Sequence, residues 1–343
     1  MTKPKHILVV RLSAMGDVAM TVPVIRALVS QNTGIKVTVV SRPFLKALFA
    51  QIPNVDFFPA DVDKEFKGVF GLYRLSEQIR KLKIDAIADL HDVLRSKILR
   101  KFLFFNCQKI VVVDKGRNEK RALTRSENKI FKQLKSTHER YADVFRELGF
   151  TVVLDERSVS PKAVLLSEKL PLGQNKHKIG YAPFAQYAGK VYPLDLSEKV
   201  IDALSRNNEN QIFLFGGGKR EKEILESLEK KYPNTISCAG KYTFSEELAL
   251  ISNLDCMVSM DSANAHLAAM YGVKTITLWG ATHPYAGFYP FKQPMEYALI
   301  PDLKKYPNIP CSIYGNKICA GYEEAMRTIS VTEVVDLIEK ILR

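Results

Sequence analysis

A carboxylate stands in the first polar loop of the chain: the apolar run Ile7 to Val10 leads into Arg11-Leu-Ser-Ala-Met-Gly16-Asp17-Val18. A dinucleotide fingerprint would place several glycines at such a strand-to-helix turn, and Gly16 stands alone, which disfavours nicotinamide or flavin chemistry. Two roles are open to Asp17. It can cap the following helix by accepting first-turn N–H groups, or it can act as a general base. A second constellation is Ser259-Met-Asp261-Ser262-Ala-Asn-Ala-His266, where a carboxylate and a hydroxyl stand at a helix start and a histidine lies one turn in. Free N–H groups at a helix start suit a phosphate. His266 alone is a structural histidine; its spacing from Asp261, after a strand, favours a functional role.

Two further loops could hold a phosphorylated ligand. Lys190, in Ala182-Pro-Phe-Ala-Gln-Tyr-Ala-Gly-Lys190, supplies a point charge able to neutralise a diphosphate. In Phe215-Gly-Gly-Gly218-Lys, Gly217 and Gly218 let backbone approach a ligand closely, or simply make a tight turn. The full phosphate-loop spacing is absent there, and both roles stay open. Trp279-Gly-Ala-Thr282-His283-Pro284 adds a polar cluster after a strand. Cys311 and Cys319 lack a matched second pair of ligands, so no metal site is expected.

The elements that must position these residues are short β-branched runs alternating with helical stretches. Strands are expected at His6–Val10, Lys36–Ser41, Ile84–Asp89 and Lys109–Val113, then at Lys178–Ala182, Gln211–Phe215, Cys256–Ser259 and Lys274–Leu278. Runs this apolar suit parallel sheets covered on both faces. Val22, Ile25 and Val29 share one helical face, with Pro23 early in that helix or kinking it. Thr243…Glu246 and Ser330…Glu333 fit capping boxes. A polar stretch around 157–177 separates two sets of βα units, which implies two α/β domains. Their expected extents are 1–160 and 175–343, the C-terminal helix being free to pack back toward the first domain. In such sheets ligands bind beyond the carboxyl ends of the strands.

Composition narrows the class. The 343 residues carry 50 Lys plus Arg against 37 Asp plus Glu, a formal charge of +13, with 46% apolar residues. That is an ordinary folded composition whose basic balance suits acidic partners. No apolar run approaches a membrane span, and the short run at the N-terminus does not make a signal peptide. Five widely spaced cysteines argue against a secreted disulfide framework. A cytoplasmic protein is expected. Lysines such as those in 168–178 look like a solvated loop, whereas the cluster Lys115 to Arg125 is denser.

Together these residues resemble glycosyltransferase family nine, the heptosyltransferases of lipopolysaccharide core assembly. Arg11-Leu-Ser-Ala-Met-Gly-Asp17-Val is similar to the family's N-terminal signature, and Asp89-Leu-His-Asp-Val-Leu-Arg95-Ser96 to its acceptor-side loop. Ala239-Gly-Lys-Tyr-Thr-Phe-Ser-Glu-Glu-Leu and Asp261-Ser-Ala-Asn-Ala-His266-Leu-Ala-Ala match the donor-side signatures. The resemblance runs in order along nearly the whole chain. It implies a GT-B architecture, two Rossmann-like doubly wound parallel-sheet domains facing a cleft, working without a metal or other cofactor. An ADP-sugar donor would bind the C-terminal domain, at Lys190, Gly217, Gly218, Asp261, Ser262 and His266. Asp17 matches the proposed base of an inverting transfer. The chain departs from the pattern at Gly218, where some members carry an acidic residue, and at Ala263, where glycine is frequent.

The expected function is transfer of a heptose or similar sugar to a lipid-linked anionic saccharide. Ser13, Arg95, Arg117, Arg121 and Arg125 are the expected acceptor contacts. The expected location is cytoplasmic, with transient surface contact at the inner face of the plasma membrane. Nucleic acid is not an expected partner, since interleaved aromatics and a basic stripe are not evident. The rivals are another GT-B enzyme, such as a nucleotide-sugar epimerase, and a non-catalytic binder of nucleic acid or anionic glycans.

Overall fold

The computed structural model describes residues 3–163 and 176–343. The chain divides into two compact units, Met1–Lys115 with Lys135–Ser160, and Gly116–Leu134 with Pro161–Arg343. Residues 164–175, part of the expected linker and of the expected solvated loop, lie outside the described residues.

The first unit is a five-stranded sheet: β1 (His6–Val10), β2 (Lys36–Ser41), β3 (Val55–Pro59), β4 (Ala86–Asp89) and β5 (Lys109–Val112). All pairings are parallel, in the order β3-β2-β1-β4-β5. Helix α1 (Met15–Ala19) precedes α2 (Thr21–Gln31), on which Val22 and Ile25 are fully buried. Pro23 falls within the first turn of α2, where its missing N–H has no intrahelical acceptor to lose. Helices α3 (Gly68–Arg80) and α4 (Leu94–Leu103) bury Leu72, Leu75, Ile79, Leu99 and Leu103 in one cluster with Leu8, Val10 and Ile87 of the sheet. Next in chain order come α5 (Arg117–Thr124) and α6 (Thr137–Glu147), the latter belonging to this unit.

The second unit holds α7 (Leu194–Ser205), α8 (Lys219–Lys231), α9 (Phe244–Ser252), α10 (Ala263–Ala269) and α11 (Val331–Leu342). Its strands are β6 (His177–Ala182), β7 (Asn210–Leu214), β8 (Thr235–Ser237), β9 (Cys256–Met260), β10 (Lys274–Leu278) and β11 (Ala298–Leu299). They are parallel, in the order β11-β10-β9-β6-β7-β8. Both expected capping boxes form: Thr243 N–H donates to Glu246 Oε2 at 2.8 Å and Ser330 N–H to Glu333 Oε2 at 2.7 Å.

The observed units depart from the expected division at residues 116–134. Residues 116–134 group with the second unit, because Leu123 of α5 is fully buried in a cluster with Leu134 and Ala286. Lys120 lies over the Phe288 ring at 4.2 Å, and Leu134 N–H donates to Tyr285 O at 2.9 Å. The C-terminal helix belongs to the second unit, as expected. Val334, Ile338 and Ile341 of α11 join the second unit's own core with Val200, Ile201 and Leu204 of α7.

Candidate active site

Each sheet reverses its strand order at one point, where two neighbouring strands send their chains to opposite sides and leave a crevice beyond their carboxyl ends. In the first unit this point lies between β1 and β4, and in the second between β6 and β9. Asp17, Arg95, Lys190 and Asp261 are carried by segments that follow these four strands.

After β1, Arg11 turns back beneath the loop. Its Nη1 donates to Leu90 O at 2.7 Å and its Nη2 meets Asp17 Oδ2 at 2.5 Å, while its guanidinium lies 5.8 Å from the Tyr141 ring centroid. Arg11 is buried and Asp17 keeps 28% of its side chain exposed. Asp17 also receives the Ala14 N–H at 3.4 Å, so capping and a fixed, accessible carboxylate coexist. Ser13 lies in the same loop, half-buried.

After β4, Asp89 is fully buried and accepts the N–H groups of His91 and Asp92 at 2.9 Å each. It also pairs with Arg100 at 3.2 Å. These bonds hold the loop so that His91 Nδ1 accepts Leu12 N–H at 3.4 Å. Burial, with help from the cations Arg11 and Lys115, pushes the His91 pKa down to about 3. The ring is therefore neutral at physiological pH. Arg95 sits at the start of α4, paired with Asp63 at 3.0 Å.

In the second unit, Lys190 follows β6 and Asp261 follows β9. Lys190 Nζ lies 3.0 Å from Asp261 Oδ2, both side chains largely buried, and Thr282 Oγ1 donates to the same oxygen at 2.9 Å. The backbone around Lys190 is pinned by Ala281 N–H, which donates to Gly189 O at 2.7 Å. Three glycines make room. A Cβ on Gly280 would stand 2.3 Å from Gly189 O, and one on Gly315 would stand 2.3 Å from Lys190 Cγ and Cδ. Ser262 stands just before α10, its hydroxyl 3.0 Å from that of Ser259 and not on the helix's first N–H groups, and His266 is buried within that helix.

Gly217 and Gly218 lie between β7 and α8, with Gly217 N–H donating to Glu221 Oε2 at 2.7 Å. The acidic group of this loop thus comes from the first turn of α8. Cys311 and Cys319 are joined in a disulfide with Cα atoms 5.4 Å apart. It closes the segment that carries Gly315, and Cys311 N–H donates to Ala281 O at 2.8 Å. Among the described residues no cluster of His, Cys, Asp and Glu is arranged to hold a metal ion.

The structure thus brings Asp17 and Ser13 together in one loop, and Lys190 and Asp261 into one ion pair. Arg117, Arg121 and Arg125 do not share a unit with Arg95, because α5 and the residues after it group with the second unit. Sequence reasoning missed four contributors: Arg11 as the partner of Asp17, neutral His91, Thr282 on Asp261, and Gly315 under Lys190. Thr282 lay inside the polar cluster already noticed. His91 and Gly315 act through chain-distant contacts that spacing does not reveal, and the Arg11–Asp17 pair depends on how its loop turns back.

Known proteins share this organisation. The model of glycosyltransferase family 9 (heptosyltransferase) matches residues 72–308. Lipopolysaccharide core heptosyltransferase OpsX of Haemophilus influenzae is 27% identical over 297 residues, 82% of this chain and 80% of that protein. Lipopolysaccharide heptosyltransferase 1 of Campylobacter coli is 27% identical over 294 residues, 81% and 85% of the two chains. A family 9 glycosyltransferase structure from Veillonella parvula superposes with a TM-score of 0.74 at 18% identity, covering 98% of this chain and 97% of that one. Escherichia coli heptosyltransferase WaaC with ADP gives 0.69 at 19% identity, covering 98% and 99%. The two parallel-sheet units are therefore those of a GT-B glycosyltransferase, and the chain belongs to glycosyltransferase family 9, the heptosyltransferases.

Proposed function

We propose that this enzyme moves a heptose from an ADP-heptose donor to a lipopolysaccharide-core saccharide, with inversion at the anomeric carbon. The observation that carries the reading is the Lys190–Asp261 pair at the strand reversal of the second unit. Support for the substrate class comes from the curated relatives, which are lipopolysaccharide heptosyltransferases. Family membership also disfavours the epimerase and the non-catalytic binder.

In this reading the donor diphosphate draws the Lys190 ammonium away from Asp261. The leaving ADP gains negative charge as the sugar–phosphate bond breaks, and a fixed ammonium in a largely buried site stabilises that charge. No divalent ion is required for this role. Asp261, held by Thr282, is then free to accept hydrogen bonds from donor hydroxyls, with Ser262, His266, Gly217 and Gly218 completing the donor loops. Asp17 takes the proton from the acceptor hydroxyl as its oxygen attacks the anomeric carbon. Arg11 fixes the direction of that carboxylate. Ser13, Arg95, Arg117, Arg121 and Arg125 receive the anionic acceptor. Since the acceptor is lipid-linked, the enzyme works as a peripheral protein at the cytoplasmic face of the membrane; among the described residues no helix is long and apolar enough to cross one.

A thermal-shift panel of ADP, UDP, GDP and CMP tests the donor assignment. A nucleotide at 100 times its dissociation constant stabilises by about 2.7 kcal/mol. The reading expects ADP to give the largest shift, and equal shifts across the panel would contradict it.

A further inference from the structure

The first unit exposes large apolar side chains on two neighbouring helices. Phe70 is 87% exposed, Leu94 73% and Phe105 93%, with Tyr73 and Phe104 also exposed. Singly exposed apolar residues are ordinary, but a contiguous patch marks an interaction site. Ring contacts link part of the set. The Tyr73 ring meets Phe102 edge-on at 5.5 Å, joining α3 to α4, and Phe104 meets Phe105 at 5.3 Å.

Helical spacing sets the most exposed of these side chains away from the buried core positions. On α3, Leu72, Leu75 and Ile79 point into the sheet cluster, and Phe70 and Tyr73 lie on the opposite side. On α4, Leu99 and Leu103 face the core. Leu94, Ile98 and Phe102 form a row every four residues along its flank; Leu94 is exposed, Ile98 and Phe102 are partly buried against the same core cluster, and Phe105 continues that row just past the helix end. Cations border it. Helix α4 carries Arg95, Lys97, Arg100 and Lys101 and no carboxylate, and Lys97 and Lys101 lie beside the apolar row. Exposed Arg74 stands next to Tyr73 on α3.

We infer that the outer faces of α3 and α4 form a docking surface for an anionic lipid bilayer. Aromatic side chains seated at the headgroup boundary, with lysines at headgroup level, are the chemistry by which a protein lies on a membrane without spanning it. A second copy of the chain is a poorer occupant. A two-fold contact through this patch would set Lys97 and Lys101 against their own copies. The inference rests on the lipid-linked acceptor proposed above and names the surface that meets the lipid.

The test is co-sedimentation of the full chain with phosphatidylcholine vesicles, with and without phosphatidylglycerol. Variants are Phe70→Ser/Phe105→Ser and Lys97→Glu/Lys101→Glu. All four side chains lie away from the core, and melting temperatures confirm folding. The parent should bind the anionic vesicles preferentially and release in high salt. The aromatic pair should weaken binding roughly 10-fold or more, and the charge reversal by at least roughly 30-fold, about fivefold for the lost attraction of each lysine and more for the repulsion each glutamate adds. Both variants should keep the parent's turnover on a delipidated, soluble acceptor. Equal binding by parent and variants, or a parent dimer that either variant dissolves, would overturn the surface. A parent that binds vesicles but transfers no heptose would leave the surface standing and remove the enzymatic reading. An active parent that ignores anionic vesicles would do the reverse.

Discussion

Lys190 and Asp261, 71 positions apart in sequence, form a largely buried ion pair at 3.0 Å beyond the carboxyl ends of two adjacent parallel strands. Removing one member strands the other, which costs more than the pair contributes net. Lys190→Ala should therefore lower stability by about 2 kcal/mol as well as weaken ADP binding. The double variant Lys190→Ala/Asp261→Ala should recover much of that stability and none of the affinity. Calorimetric titration should show ADP affinity falling roughly 10- to 100-fold, the loss of a charge-assisted contact, with adenosine affinity little changed. Unaltered ADP affinity in Lys190→Ala would remove the diphosphate from this site.

Asp17 separates two roles by substitution. Asparagine caps a helix about as well as aspartate but cannot take a proton. Asp17→Asn should lower turnover by roughly 10²–10⁴-fold with ADP affinity nearly unchanged. Near-parental turnover, at a parental melting temperature, would leave Asp17 only its contact with the start of α1.

How much of this was legible beforehand follows from burial. The strands Lys36–Ser41 and Lys274–Leu278 are covered on both faces over nearly their whole length and announce themselves as apolar runs. The unforeseen strands β3, β8 and β11 all lie at sheet edges, and β3, Val-Asp-Phe-Phe-Pro, is only partly buried. An edge strand needs no continuous apolar signal. Asp17, Lys190 and Asp261 could be singled out because each stands in a segment that follows an apolar strand. The Leu12–His91 bond and the fit of Gly315 under Lys190 could not be, since each depends on how two distant loops meet; the Arg11–Asp17 contact could not be, since it depends on how a single loop turns back on itself. The unit that residues 116–134 join was not legible from that charged stretch either: Leu123 and Leu134, apolar residues within and beyond it, decide which core the segment joins.

His91 gives a pH signature. Its folded pKa, about 3, is below the ordinary value of 6.5, so the unfolded chain binds the extra proton first as pH falls. The stability tied to the neutral ring is complete above the unfolded value and is lost progressively below it. Between about pH 7 and about pH 5 this amounts to about 2 kcal/mol. His283, whose pKa burial and Lys129 push to about 4, contributes in the same direction. Calorimetric melting across this range should show a shallower acid dependence in His91→Gln than in the parent. Identical slopes would mean that protonation of His91 is not resisted by the fold.

The central claim is acceptor-dependent sugar transfer, and release of ADP from ADP-heptose reports it directly. The measurement follows ADP and glycosylated acceptor together, with and without a lipopolysaccharide-core acceptor, and with and without EDTA. The account predicts that ADP forms one-for-one with glycosylated acceptor, only when acceptor is present, and at the same rate in EDTA. ADP release without acceptor, or no transfer to any core saccharide, would contradict it.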